Sequence, residues 1–385
     1  MKAHKIYGYA FFAAALLAMT AQAAEPVRIG IPLGLTGSNS VIAPAILQAS
    51  ELAVAEINAA GGILGRPVVL EIADDATSVL GAQKAYDTLV FQKKVNAVIT
   101  METSSNRNAG LPIINRGRIP YIYTAFYEGR SCNRWMYING WVPEQQIAPI
   151  VDYFMKDLKA KTFFMVGNDY AFGRGMLAFT RQYIESQGGK VLGEEYLPIS
   201  GTDWTPIISQ IRSAAPDALL SATAGGGVNV ALSKQLKAAG VAMPYGNLGI
   251  DEETARVMGT DAVGMYMSAS YLTSIDNDQN RRFLAAIKAK FGSEAKTQND
   301  LSEPQYEAIH LYKAAVEKAG SLDSSKVVAA LSQVSFDGPR GVIKLDRQRH
   351  AALNMHLAQV QPDGSVKILR TFENLDPGEQ CPNLK

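Results

Sequence analysis

Short β-branched runs alternate with longer amphipathic stretches along this chain, and the alternation passes through two successive sets. Residues 27–33, 68–73, 97–100 and 119–124 read as strands, and 44–60, 78–93 and 106–116 between them carry helical spacing. In the first helix Ile46, Ala49, Ala53 and Ile57 fall on one stripe. Gly61-Gly62 then ends it, as glycine just past a helix does. The second set follows without a low-complexity linker. Its helices are expected at 146–158, 172–187, 203–214 and 228–239, and its strands at 162–166, 190–196, 218–223 and 245–249. Strand–helix alternation with short connections means βαβ units, whose parallel sheets are covered on both faces. Two sets therefore predict two similar lobes joined by strand-like crossings. The tail departs from the pattern. It reads as helices at 278–291, 303–319 and 324–334, then an antiparallel pair at 356–361 and 366–371 around the turn Pro362-Asp363-Gly364.

Composition narrows the function. With 385 residues, 47% of them apolar and 19% charged, the chain is not disordered and is long enough for two domains. Lys plus Arg is 37 against 36 for Asp plus Glu, and no basic stripe stands out, so nucleic acid is not an expected partner. Four histidines and two cysteines leave little for a metal site, and no cofactor is expected. The chain opens with Lys2, His4 and Lys5, then an apolar run over 10–17, then Ala21-Gln22-Ala23. That is the pattern of a secretory signal peptide, cleaved after Ala23, with an apolar run too short to span a bilayer. Cys132 and Cys381 then belong to an oxidising compartment. Sequence leaves open a bridge tying the tail to mid-chain and a free pair, because it does not give the Cα separation.

Ligands of open α/β sheets bind beyond the carboxyl ends of the strands. Ser104 and Ser105 fall at a helix start, where free amides and a hydroxyl hold a carboxylate or amide oxygen; the alternative is an ordinary N-cap. Asp169 reads as the cap of the helix beginning at Phe172. Tyr170 and Phe172 suit an aromatic wall around a small polar guest, or plain core packing, and Tyr123 and Tyr127 have the same two readings. Phe126, Phe172 and Trp204 add to an expected aromatic lining. Gly225-Gly226-Gly227 permits close backbone approach. It is not a P-loop, since no Gly-Lys-Ser/Thr follows. Asp251 and Glu252 either accept from an ammonium or amide N–H, or stabilise a helix start. There is no G-x-S-x-G, H-E-x-x-H or C-x-x-C, and His310, His350 and His356 stand near nothing that reads as a nucleophile. Catalysis is not expected.

Three segments carry a resemblance: residues 29–37 (IGIPLGLTG), 55–67 (AEINAAGGILGRP) and 168–175 (NDYAFGRG). With them the chain resembles the periplasmic solute-binding proteins of ABC transporters, in the branched-chain amino acid and amide class. Tyr127-Glu128-Gly129 and the segment 142–149 are similar to the amide- and urea-binding branch, with Glu144-Gln145 where Asn-Gln is usual. The resemblance implies an α/β fold of the type I kind: two Rossmann-like lobes with parallel sheets and a three-crossing hinge. It places one lobe at 24–142 plus 272–346 and the other at 143–271 plus 347–385, with crossings near Val142, Tyr271 and Asp346. It also implies that Ser104 and the loop Thr124 to Phe126 hold the ligand's polar end, with Ala125 where the family has threonine. Tyr170 closes over the guest and Asp251 meets an amino group. The expected ligand site is Ser104, Ser105, Tyr123, Thr124, Ala125, Phe126, Tyr170, Phe172, Gly226 and Asp251. The implied partners are a small amino acid, amide or urea and an ABC permease in the inner membrane, the location the periplasm and the state a monomer. Rival readings are a ligand-sensing module acting on a signalling partner, a secreted α/β enzyme, and an importer of aromatic or aliphatic carboxylates.

Overall fold

The computed structural model describes residues 25–384; the signal segment and its expected cleavage after Ala23 lie outside them. The chain opens with β1 (Val27–Leu33), α1 (Ala43–Ala59), β2 (Val68–Asp74), α2 (Val79–Asp87), β3 (Ala97–Thr100), α3 (Ser104–Gly117), β4 (Tyr121–Tyr123) and β5 (Met136–Ile138). These strands form one parallel sheet in the order β2-β1-β3-β4-β5. Val27, Ile29, Ile31 and Leu33 are fully buried, as a central strand covered on both faces requires. Helix α1 starts with a proline in its first turn and turns Ile46, Ala49, Ala53 and Ile57 to the core. Each buried isoleucine contributes roughly 1.5–3 kcal/mol. Gly61 and Gly62 stop the helix at φ 98° and 79°, and the Gly62 amide donates back to the Ile57 carbonyl at 2.8 Å.

The chain then crosses to a second lobe with α4 (Pro143–Lys156), β6 (Thr162–Asn168), α5 (Ala171–Ser186), β7 (Lys190–Leu197), α6 (Thr205–Ala214) and β8 (Ala218–Ala222). It continues with α7 (Gly226–Ala238), β9 (Tyr245–Asn247), α8 (Glu252–Met258) and β10 (Tyr266–Ala269). Helices α9 (Asp278–Phe291), α10 (Glu303–Ala319) and α11 (Ser324–Leu331) follow, and residues of all three join the core around the first sheet. A hairpin, β11 (Ser335–Gly338) and β12 (Gly341–Lys344), precedes β13 (Leu353–Val360) and β14 (Val366–Leu375). The second sheet runs β14-β13-β10-β9-β8-β6-β7. It is mixed: β13 pairs antiparallel with both β10 and β14, while the rest is parallel. The chain thus passes between the lobes three times: before α4, after β10, and between β12 and β13.

Arg340 sits where these passages meet, and its side chain is 1% exposed. Its Nε donates to Glu307 at 2.8 Å, one amino group to the Ser270 hydroxyl at 2.7 Å, and the other to the Asn139 carbonyl at 2.8 Å. Asn139 and Ser270 lie on the first and second crossings, so one guanidinium ties both to α10. Cys132 and Cys381 are joined in a disulfide, with Cα atoms 5.6 Å apart. The tail beyond β14 is therefore fastened to the loop before β5, a covalent link between the lobes in addition to the crossings. The Arg130 amide donates to Gln380 at 2.9 Å beside it.

Local readings need correction in several places. Helix α3 begins at Ser104, not Asn106, because the Thr103 hydroxyl accepts from the Asn106 amide at 3.2 Å and caps it. Asp169 does not cap α5. That helix starts at Tyr170 with no side-chain cap, and Asp169 pairs instead with Arg174 at 2.6 Å. Strands β5 and β10, helix α8 and the β11–β12 hairpin were not expected from the pattern. No strand among them exceeds four residues and α8 has seven, too short to show a period.

Candidate functional site

Residues that follow β1, β3 and β4 in the first lobe and β6, β8 and β9 in the second line one cleft. This is the place that parallel strands leave for a ligand, beyond their carboxyl ends.

The first-lobe wall sets a tightly bonded polar network among the apolar side chains of Ile42, Met101, Phe126 and Leu301. Asn39, Glu102, Thr103, Ser104, Tyr123 and Ala125 belong to it. The Thr103 cap takes up the Asn106 amide, while the first amides of α3 have no partner within the helix. The Ser104 hydroxyl donates to one oxygen of Glu128, and Arg107 bonds the other at 2.7 Å. Arg107 is 1% exposed and lies over the Tyr127 ring at 4.6 Å and the Tyr123 ring at 5.0 Å. The Tyr123 hydroxyl donates to the Glu102 carbonyl at 2.7 Å. Burial, reinforced by the neighbouring Asp75, pushes the Glu102 carboxyl well above the usual range, and it accepts from the Tyr86 hydroxyl at 2.7 Å. Behind this wall His350 Nδ1 lies 2.7 Å from the Gln348 carbonyl and must donate to it. Its Nε2 is left to accept from the Tyr127 hydroxyl at 2.8 Å, and burial pushes this imidazole down to about 4.

The second-lobe wall is made of rings and glycines, with one carboxylate. Phe172 is 2% exposed and meets Phe126 of the first lobe at 5.6 Å between ring centres; Phe126 in turn stacks on Trp141 at 4.8 Å. A Cβ on Gly225 would stand 3.1 Å from that of Ser38, and one on Gly226 2.9 Å from that of Val41. A Cβ on Gly175 in α5 would come 2.5 Å from the Glu128 Cβ. The lobes are thus in contact across the cleft at three glycines. Asp251 caps α8, accepting from the Thr254 amide at 3.0 Å and hydroxyl at 2.5 Å, and from Asn299 at 3.2 Å. Burial raises its pKa. Asp300 beside it is buried with no partner for either oxygen among the described residues, and burial pushes it well up, with Asp251 and Glu252 adding to the effect.

Of the expected site residues, Ser104, Tyr123, Ala125, Phe126, Tyr170, Phe172, Gly226 and Asp251 come together on this lining. Thr124 does not: its hydroxyl donates to Gln305 on α10 at 3.1 Å, because alternate residues after a strand face opposite ways. Ser105 is also outside the lining, one step further around α3 than Ser104. Trp204 packs with Ile207 and Ile208 inside the second lobe, and Glu252 accepts from the Thr273 amide at 2.6 Å, away from the cleft. Asn39, Glu102, Arg107 and Glu128 were not singled out as site residues. The one signal available for Arg107 was its place three residues after Ser104, on the same face of a helix.

Relatives and solved structures agree with this architecture. A Leu/Ile/Val-binding protein homolog 3 of Brucella melitensis is 28% identical over 332 residues, covering 82% of this chain and 85% of that protein. The Leu/Ile/Val-binding protein BraC3 of Rhizobium johnstonii is 25% identical over 345 residues, covering 86% and 90%. Among structures, an ABC transporter solute-binding protein of Rhodopseudomonas palustris BisB5 in complex with 3,4-dihydroxybenzoic acid superposes with TM-score 0.82 at 22% identity, covering 92% of this chain and 99% of that one. The branched-chain amino acid transporter substrate-binding protein LivJ of Streptococcus pneumoniae in complex with isoleucine gives TM-score 0.79 at 22% identity, covering 91% and 99%. These two likenesses establish the fold: α/β, two lobes, type I. A family profile described as periplasmic binding protein matches residues 26–365, and the chain belongs to that family.

Proposed function

We propose that the chain is the extracytoplasmic receptor of an ABC importer. It captures a small polar solute between its lobes, closes over it and presents the closed form to an inner-membrane permease. The observation that carries this reading is the cleft walled from both lobes: a guest touching both walls favours the closed arrangement over the open one, and no covalent step is needed. Ser104, Ala125 and the first turn of α3 meet the guest's polar end. Tyr170, Phe172 and Asp251 complete the enclosure from the other lobe. Removal of the signal segment after Ala23 delivers the chain to the periplasm, where it works as a monomer. Among the described residues no helix is long and apolar enough to cross a membrane. Relatives named for Leu, Ile and Val, and structures holding isoleucine or a hydroxybenzoate, support a small organic solute and leave amino acids, amides, urea and small carboxylates as the panel to try.

Thermal melts of the mature chain against that panel test the reading, because a solute bound only by the folded state raises the melting point. The expected result is one chemical class that does so and also compacts the chain in small-angle scattering. A chain that neither gains stability nor compacts with any solute, or that converts one, is not this receptor.

A further inference from the structure

Closure over a solute needs lobes that part and meet again, and one segment of the chain bears on how far they part. Strand β14 of the second sheet ends at Leu375, beside the first and third crossings. There the Gln145 side-chain amide, at the start of α4, donates to the carbonyls of Ala351 at 3.0 Å and Leu375 at 2.8 Å. Residues 376–381 then run back to the first lobe and end in the disulfide to Cys132. They are folded on the way. Gly378 has φ 72° and its amide donates to Asp376 at 2.7 Å, and the Gln380 side-chain amide donates to the Pro377 carbonyl at 2.6 Å. Gln380 is 1% exposed and Cys381 4%.

The far end of this run is held by more than sulfur. The Gln380 side chain accepts from the Arg130 amide, and the Cys381 amide donates to the Gln348 side chain at 2.6 Å. Gln348 lies on the third crossing. Its carbonyl accepts from His350, which accepts in turn from the Tyr127 hydroxyl, and the Ser131 amide donates to that same hydroxyl at 3.2 Å. Arg130 also pairs with Glu144 of α4 at 2.9 Å, from one lobe to the other. The loop so held, 126–132, carries Phe126 and Glu128, which meet Phe172 and Gly175 of the second lobe. Neither 127–132 nor 376–381 lines the cleft.

We propose that residues 376–381, closed by the Cys132–Cys381 bond, are a strap: a fourth, covalent crossing that limits how far the lobes open and holds the 126–132 loop in place for closure. Three crossings alone let the lobes turn about the hinge. A fourth one, anchored on a loop of the opposite lobe, reaches no further than its six residues allow, roughly 20 Å when fully extended, and so sets a stop. Fewer open arrangements leave less entropy to lose on closing, which favours the closed form. The inference rests on the receptor reading for its effect on solute, while the stop itself belongs to the chain without solute.

Cys132→Ser combined with Cys381→Ser cuts the strap and alters no residue of the cleft lining. Dithiothreitol makes the same cut in the folded parent, with no refolding step. The readouts are native-state ones, since a lost disulfide lowers the melting point through the unfolded chain whatever its role. In small-angle scattering the cut chain without solute should have a larger radius of gyration than the parent, and the two should coincide once a solute closes them. Amides of 126–132 should exchange about tenfold faster. Solute release should quicken about threefold, with the capture rate little changed. Gln380→Ala, which keeps the sulfur bond, should loosen the loop amides and leave the radius of gyration at the parent's value. A folded cut chain whose solute-free dimensions and loop exchange match the parent's overturns the proposal, as does a Gln380→Ala chain that opens as widely as the cut one. If no solute compacts the parent, the receptor reading falls, and scattering and exchange of the solute-free chains still decide the strap.

Discussion

Helices α3 and α5 both begin where a parallel strand ends at the cleft, one in each lobe, yet they begin differently. Helix α3 is capped by Thr103, and its first turn is bonded through Ser104 and Arg107 to Glu128. Helix α5 starts at Tyr170 with no side-chain cap and carries Gly173 and Gly175 in its first turns. The same contrast holds for the rest of the cleft. The first lobe offers a network whose members are fixed by one another before any solute arrives. The second offers rings, bare backbone and one carboxylate already engaged by its own helix. A polar group that is held in place costs little to order on binding, so the first lobe is suited to recognition. A surface of rings and glycines can approach closely and exclude water without needing matched partners, so the second is suited to closure.

The contrast lasts only while the crossings keep the lobes in register, and Arg340 ties two of those crossings to α10. Removing its side chain leaves Glu307 buried with its hydrogen-bonded cation gone, beside Glu303, which burial and Glu307 together hold far above the usual carboxyl range. Arg340→Ala should cost about 3–5 kcal/mol of stability in urea unfolding. Adding Glu307→Gln should return part of it, since the two residues share one interaction. A loss below about 1 kcal/mol would mean that the crossings are held by something other than this guanidinium.

A smaller effect, and one with opposite signs in two measurements, is expected at Gly175. Alanine inside a helix is favoured over glycine by about 1 kcal/mol, so Gly175→Ala should raise the melting point of the chain without solute. The same methyl would stand 2.5 Å from the Glu128 Cβ, a distance at which something must shift, so closure should be impeded. Affinity for any solute that closes the parent chain should fall about tenfold, the low end of overpacking costs. If affinity and stability both rose, the contact between α5 and the Glu128 loop would not belong to the closed arrangement.

How much of this was legible beforehand follows the same division. The long elements were, because a stripe such as Ile46, Ala49, Ala53 and Ile57 has a period and Gly61-Gly62 marks its end. The rings and glycines of the second lobe were also legible, since Tyr170, Phe172 and Gly226 stand directly after strands and need only be placed there. The first-lobe network was not. Glu128 is 21 residues from Arg107 and 24 from Ser104 in sequence and meets both only through the fold, and nothing local shows that an arginine will be buried against two tyrosine rings. Thr124 stands one residue from Ala125, enough to turn its side chain from the cleft to Gln305. Charged networks joined across a sheet leave no periodic trace, whereas apolar faces do.

The smallest effect separates the two helix starts directly. In sequence, Asp169 looks the better cap and Thr103 goes unnoticed, because aspartate before an apolar run is the stronger signal. The structure reverses them: the Thr103 hydroxyl accepts from the Asn106 amide at 3.2 Å, while Asp169 turns outward to Arg174. Thr103→Ala should therefore destabilise the chain by about 1 kcal/mol, the usual cost of a lost N-cap. It should also weaken solute binding, since the amides of α3 lose the residue that aims them at the cleft. Asp169→Ala removes an exposed ion pair of a kind that contributes little, and should leave the melting curve within its error. Equal losses from the two substitutions would show that α5 is capped after all, and that the lobes begin their cleft helices alike.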